Sequence, residues 1–142
     1  MKLVFDTIVI VAALRSDAGA SRRLVAAALE RDIGLLISVP LLIEYEAVLS
    51  RREHLEQANL TAVDVGVLLD AFAEVGTPVH LAFRWRPMLR DADDDMVLET
   101  AANGGADAIV TFNRRDFRIA TQQFGIAVWL PGEALKEMRK AI

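Results

Sequence analysis

The order of apolar segments predicts an α/β fold: a parallel sheet of about five strands with helices on both faces. Three observations carry this. Short continuous apolar runs alternate along the chain with longer segments whose apolar residues recur at helical spacing, and such alternation places strands side by side through right-handed helical crossovers. The clearest strand-like run, Ala108 to Thr111, is apolar without interruption and bounded by turn residues, as expected of a strand buried on both sides. Finally, acidic residues recur where a strand ends or a helix begins, at Asp6, Glu44, the Asp91–Asp95 cluster and Asp116.

Taken in order, Lys2 to Phe5 is a short strand that stops at Asp6 and Thr7, and the run from Ile8 to Leu14 turns into a helix. Asp6 therefore stands at the carboxyl end of the first strand, the edge where open parallel sheets bind ligands; in a purely structural role it would cap the helix. Ser16 to Gly19 is a turn. Ser21 opens a helix with Leu24, Val25, Ala28 and Leu29 inward, and Gly34 to Ser38 is the second strand. Val39 and Pro40 start the next helix, where a missing N–H is harmless. Glu44 lies one turn after Leu41 and one before Val48, on the apolar side, where a carboxylate must be paired, protonated or bound to a cation. Glu46 falls on a more polar face.

Arg51 to Asn59 is polar and reads as loop or short helix. Thr61 and Asp64 form a capping pair that opens a helix through Val75, with Val65, Leu68, Leu69 and Phe72 inward. Thr77 to Leu81 is a weak edge strand, Pro78 included. Val97, Leu98, Ala101 and Ala102 form the stripe of a further helix, closed by Asn103, Gly104 and Gly105. The acids at Asp91, Asp93, Asp94 and Asp95 thus lie on the loop and first turn before that stripe. Ala108 to Thr111 delivers Asn113 and Asp116; Phe117 to Phe124 is helical, Ile126 to Trp129 is the last strand, and Pro131 to Ala141 is a terminal helix.

Composition narrows the function. A chain of 142 residues, 54% hydrophobic and 25% charged, fits one ordinary domain and excludes disorder. The absence of cysteine excludes disulfides and thiolate metal sites. Asp6 interrupts the first apolar run, so no signal peptide is read, and no apolar run approaches the ~20 residues of a membrane span. A cytoplasmic protein is expected. A net charge of −4 opposes a protein that coats nucleic acid, but not a nuclease whose acids hold metal beside local basic groups. Basic residues pair at Arg22 and Arg23, Arg51 and Arg52, Arg84 and Arg86, and Arg114 and Arg115 with Arg118. The last group is close to acids in sequence and is the candidate for phosphate contact.

One or two acids at a helix start need no explanation beyond capping and the helix dipole. Four within five residues exceed what a cap uses, so a divalent cation site is expected. Oxygen ligands, with neither histidine in metal-ligand spacing, favour Mg²⁺ or Mn²⁺ over zinc. Such a site is suited to phosphodiester hydrolysis. No Ser/His/Asp arrangement and no glycine-rich phosphate loop is present, and no lysine ends a late strand as a receiver-like phosphoacceptor would require.

Four segments in order, Leu3 to Thr7, Ser38 to Arg51, Arg90 to Leu98 and Ala106 to Phe117, resemble the PIN-domain ribonucleases. Within that family they are most similar to the bacterial toxin components of toxin–antitoxin pairs, the VapC-like group. The resemblance implies a Rossmann-like three-layer α/β/α domain and a Mg²⁺/Mn²⁺-dependent endoribonuclease. By position it makes Asp6, Glu44 and Asp94 the invariant acids, with Asp91 and Asp95 adjacent, and gives the last site to Asp116 or Asn113. Thr7, Thr111 and Asn113 take supporting places. It also implies a homodimer capped by a cognate antitoxin that brings an Arg or Lys to the acids, with Leu55, Leu60 and the helix through Phe72 as contributors to apolar contact. The sequence departs from the family at Ile8, where Asn or Ser is usual. That departure keeps open an alternative, a catalytically degenerate module that binds RNA or a protein without cutting.

Overall fold

A computed structural model describes residues 1–16, 19–82 and 92–141; Asp91, Arg84 and Arg86 lie outside the described residues. The strands are β1 (Lys2–Phe5), β2 (Gly34–Ile37), β3 (Thr77–Pro78), β4 (Ala108–Val110) and β5 (Ala127–Trp129). They form one sheet in the order β3-β2-β1-β4-β5, and every pairing is parallel. The chain begins in the middle of this sheet, builds outward through β2 to β3, then crosses back to lay β4 on the other side of β1. The β1/β4 boundary is therefore the topological switch point, where the crossovers diverge and leave a crevice outside the strand ends.

Successive side chains of a strand point to opposite faces, and Leu3, Val4 and Phe5 of β1 and Ala108, Ile109 and Val110 of β4 are all 0% exposed. Both faces of the central strands are thus covered, which makes the architecture three-layered α/β/α. The covering helices are α1 (Thr7–Arg15), α2 (Ala20–Leu29), α3 (Val39–Leu49), α4 (Arg52–Ala58), α5 (Ala62–Val75), α6 (Ala92–Gly104), α7 (Arg118–Phe124) and α8 (Pro131–Ala141), with a 3₁₀ turn at Arg114–Phe117. No helix among the described residues is long and apolar enough to cross a membrane.

Local chemistry explains most boundaries. The Thr61 hydroxyl accepts from the Asp64 N–H at 3.2 Å while the Asp64 carboxylate accepts from the Thr61 N–H at 2.8 Å, a reciprocal capping box that starts α5. Gly104 ends α6 where a Cβ would lie 2.8 Å from a Val79 methyl and 2.9 Å from a Leu36 methyl, so any larger residue would have to push these side chains aside for the helix end to approach the sheet this closely. One expectation shifts and two become definite. The polar stretch after Arg51 is helical and closes on Asn59 in the left-handed region, φ 56°. The edge strand shrinks to Thr77–Pro78, proline having no N–H to give a ladder. Finally, α6 carries Asp93, Asp94 and Asp95 together in its first turn.

Candidate active site

Asp6 ends β1, and its backbone N–H reaches across the switch point to the Val110 carbonyl at 2.9 Å. Its carboxylate Oδ2 accepts a 2.8 Å hydrogen bond from the Thr111 hydroxyl, which in turn accepts from the Asn113 N–H at 3.0 Å. One buried hydroxyl thus connects the β1 acid to the loop after β4. From below, the Tyr45 hydroxyl donates to the Phe5 carbonyl. Tyr45 is fully buried and packs edge-on against Phe72 with ring centroids 6.3 Å apart. Burial, with the Asp6 charge adding to it, pushes the phenol well above its usual range. Tyr45 therefore stays a neutral donor that holds the end of β1.

A second brace joins α3 to α6. The Ser38 Oγ accepts from the Leu41 N–H at 3.3 Å as the N-cap of α3, and lies 2.7 Å from the Thr100 Oγ1. Thr100 donates its hydroxyl proton to the Met96 carbonyl at 2.8 Å, so in the buried pair Ser38 must be the donor. This contact relates the helix carrying Glu44 to the helix whose first turn carries the aspartates.

The result is one cavity of about 190 Å³ lined by Asp6, Glu44, Asp93, Asp94, Asp116 and Asn113, with Thr7, Ile8, Val48 and Arg51 completing the wall. It lies at the carboxyl ends of β1 and β4. Of the residues predicted from sequence, Asp6, Glu44, Asp94 and Asp116 meet there, and Thr111 stands behind Asp6. Asp95 does not join them. It is 2% exposed and absent from the cavity wall, and Asp93 takes the place beside Asp94. Each helical residue rotates the side chain by about 100°, so Asp95 falls on the face of Glu99, one turn on, which is fully buried. Sequence reasoning counted Asp93 in the acidic cluster and Arg51 among the basic pairs without giving either a place in the site, and singled out neither Tyr45 nor Glu99. The one local signal for Glu99 is its place between Leu98 and Ala101, inside the apolar stripe.

Carboxylates, an amide and a hydroxyl make this an oxygen-only donor set, which suits a hard divalent cation. Among the described residues no three acidic, cysteine or histidine side chains are drawn together as a cage.

Asn113 also borders a second groove of about 610 Å³, where Phe112, Arg114, Arg115, Arg118, Thr121, Gln122 and Val128 form the wall. All three arginines of the predicted basic group reach this groove, but they are not equivalent. Arg114 spans to α8 and donates to both oxygens of Glu133, at 3.0 and 3.2 Å.

An oxygen-rich acidic cavity at the switch point of a parallel sheet, next to a cationic groove, is the arrangement of an α/β domain suited to phosphate esters. The chain belongs to the PIN domain family, whose model matches residues 2–115, and PIN domains are generally nucleases. The match takes in Asp6, Glu44, Asp93, Asp94 and Asn113 and stops one residue short of Asp116. Among curated proteins, none matches the chain.

Proposed function

We propose that the protein is a Mg²⁺- or Mn²⁺-dependent endoribonuclease, folded as one domain, and the toxin of a cytoplasmic toxin–antitoxin module. The observation that carries the catalytic reading is the meeting of Asp6, Glu44, Asp94 and Asp116, from four separate segments, in one cavity at the sheet's switch point. Those four would hold the cation, with Asp93 at their side. A divalent ion bound there supplies charge to shield the phosphodiester and to make water a nucleophile at neutral pH.

The chain's own residues do the rest. Thr111 and Tyr45 hold Asp6 and the end of β1 in place. Arg51, in the cavity wall, would offer guanidinium donors to a phosphate oxygen. The toxin assignment rests on the resemblance of the four segments to VapC-like toxins. It carries with it a homodimer and an antitoxin whose basic side chain enters the acidic cavity, and a monomer in light scattering at micromolar concentration would count against it.

A specific observation favours the second reading, a binding module without cleavage: Ile8 lines the cavity with an apolar side chain that is 46% exposed. Titrating Mn²⁺ into the purified protein while following cleavage of a mixed-sequence RNA separates the two. The ribonuclease reading expects saturable binding and cleavage that appears with metal and disappears in Asp94→Asn. Saturable Mn²⁺ binding without cleavage would leave the binding module.

A further inference from the structure

Phe112 interrupts an otherwise buried run. Ala108 to Thr111 are 0% exposed, whereas Phe112, the next residue, is a large aromatic side chain 46% exposed. It lines the cationic groove, and its neighbour Asn113 lines both that groove and the acidic cavity. The groove and the cavity are therefore consecutive stations on one surface. Charge in the groove is uneven. Arg114 is engaged by Glu133, whereas Arg115 and Arg118 make no ion pair among the described residues and stay exposed in a chain of net charge −4.

A ligand matching this wall needs anionic groups for two cations, a flat apolar face for the ring of Phe112, and polar edges for Asn113 and Gln122. Single-stranded nucleic acid has all three: phosphates repeat along the strand, and its unpaired bases present faces for stacking. A duplex keeps its base faces buried and offers only the phosphates. The groove volume of about 610 Å³ also lies within the range of sites that enclose a compact ligand, about 300–1,000 Å³.

We infer that this groove is a track for single-stranded RNA leading into the acidic cavity, in which Phe112 stacks on a base and Arg115 and Arg118 hold the adjoining phosphates. Arg114 braces the track through Glu133 instead of carrying an equal share of phosphate contact. The inference rests on the ribonuclease reading for the identity of the strand, and adds to it an aromatic residue that fixes strandedness.

The test is binding of a fluorescently labelled RNA of about ten nucleotides, within the site sizes of single-strand binders, measured by anisotropy in EDTA so that no cleavage occurs. Phe112→Leu, which keeps bulk and loses the aromatic face, is expected to weaken binding about tenfold, and Phe112→Trp to restore it. Arg115→Ala and Arg118→Ala should each reduce the slope of log affinity against log salt by about 0.7, the value for one single-strand phosphate contact. Arg139→Ala, on α8 outside the groove wall, should leave the slope unchanged. Unfolding midpoints equal to wild type would show that the half-exposed Phe112 is not structural. The track is overturned if wild type fails to bind the single strand, if Phe112→Leu binds as wild type does, or if blunt duplex RNA binds as tightly. Its failure is distinct from that of the ribonuclease reading. Phe112-dependent binding with no Mn²⁺-dependent cleavage keeps the track and removes the nuclease, and cleavage with Phe112-independent binding does the reverse.

Discussion

The acidic cavity and the cationic groove share Asn113 yet are built in opposite ways. The cavity gathers side chains from Asp6 to Asp116, through segments that meet only because β1 and β4 pair side by side in the sheet, and its key acid is held by buried hydrogen bonds to Thr111 and, through Phe5, to Tyr45. The groove comes from Phe112 to Val128, a single stretch, and its walls are mostly exposed. A metal site must hold oxygens within ~2.0–2.6 Å of one point and so needs support from the whole fold. Contacts to a flexible strand tolerate side chains that move, so a local, solvated surface suffices. Damage to the cavity's supports should therefore affect both stability and chemistry, whereas damage to the groove should affect binding alone.

The largest effect expected from this contrast is at the acids themselves. Asp94→Asn or Asp6→Asn should lower kcat/KM for RNA by about a thousandfold or more, since removing a charge that holds the cation forfeits several kcal/mol of transition-state stabilisation. Stability in EDTA should be unchanged or higher, because one of several crowded negative charges is gone. A variant that lost its fold along with its activity would make these residues structural and dissolve the contrast.

Tyr45→Phe comes next and strikes a support without touching the cavity. The Phe5 carbonyl would lose a buried donor, at a cost of about 1–3 kcal/mol, visible as a lower urea midpoint at an unchanged slope. Its pH dependence is a second check. The folded phenol holds its proton above the ordinary value of 10.0 while the unfolded one releases it, so the native state binds more protons there and stability must fall as pH rises past about 10. Tyr45→Phe should flatten that alkaline decline. An equally steep decline in the variant would assign it to other groups.

How far the sequence reveals these two regions follows from the same contrast. Periodicity and glycine/proline punctuation place the strands and helices in order, and the Leu41–Val48 spacing turns Glu44 inward, because those signals are local. The choice between Asp93 and Asp95 is not local. Adjacent aspartates around one helical turn are equivalent until the entry angle of α6 is set, and the Ser38–Thr100 contact that helps set it spans 62 residues. Tyr45 was missed for the same reason, its partner being a strand carbonyl 40 residues away. Arg51 joins the cavity only because α3 ends at Leu49 and α4 starts at Arg52, a turn that composition does not define. The groove, by contrast, was legible as a basic cluster, although the pairing of Arg114 with Glu133 depends on where α8 docks.

Ser38→Ala should have an effect on stability of the same order as Tyr45→Phe. It removes an N-cap, about 1 kcal/mol, and a buried hydroxyl bond of about the same size. Because Ser38 relates α3 to α6, the apparent affinity for Mn²⁺ should also fall, by about tenfold, at the lower end of what lost supports of metal ligands cost. A stability loss with unchanged Mn²⁺ affinity would show that Glu44 and the aspartates are positioned independently of this brace.

The smallest structural perturbation tests the departure at the cavity itself. Ile8 sits in the first turn of α1 with nearly half of its side chain exposed, against walls that are otherwise mostly polar. Replacing it should change stability by no more than about 0.5 kcal/mol, as at other surface positions away from special features, and Asn is well tolerated in a first turn. What changes is the cavity's hydrogen bonding, since Ile8 offers neither donor nor acceptor where Asn offers both. A hydrogen bond to a carboxylate contributes about 1.5 kcal/mol or more, so Ile8→Asn should raise Mn²⁺-dependent cleavage by up to about tenfold if that bond forms in the transition state. The readout is kcat/KM on one RNA for both proteins, with urea midpoints measured in parallel. A gain in cleavage at constant stability would make Ile8 the residue that restrains an otherwise complete site, and unchanged cleavage would show that the acids alone set the rate.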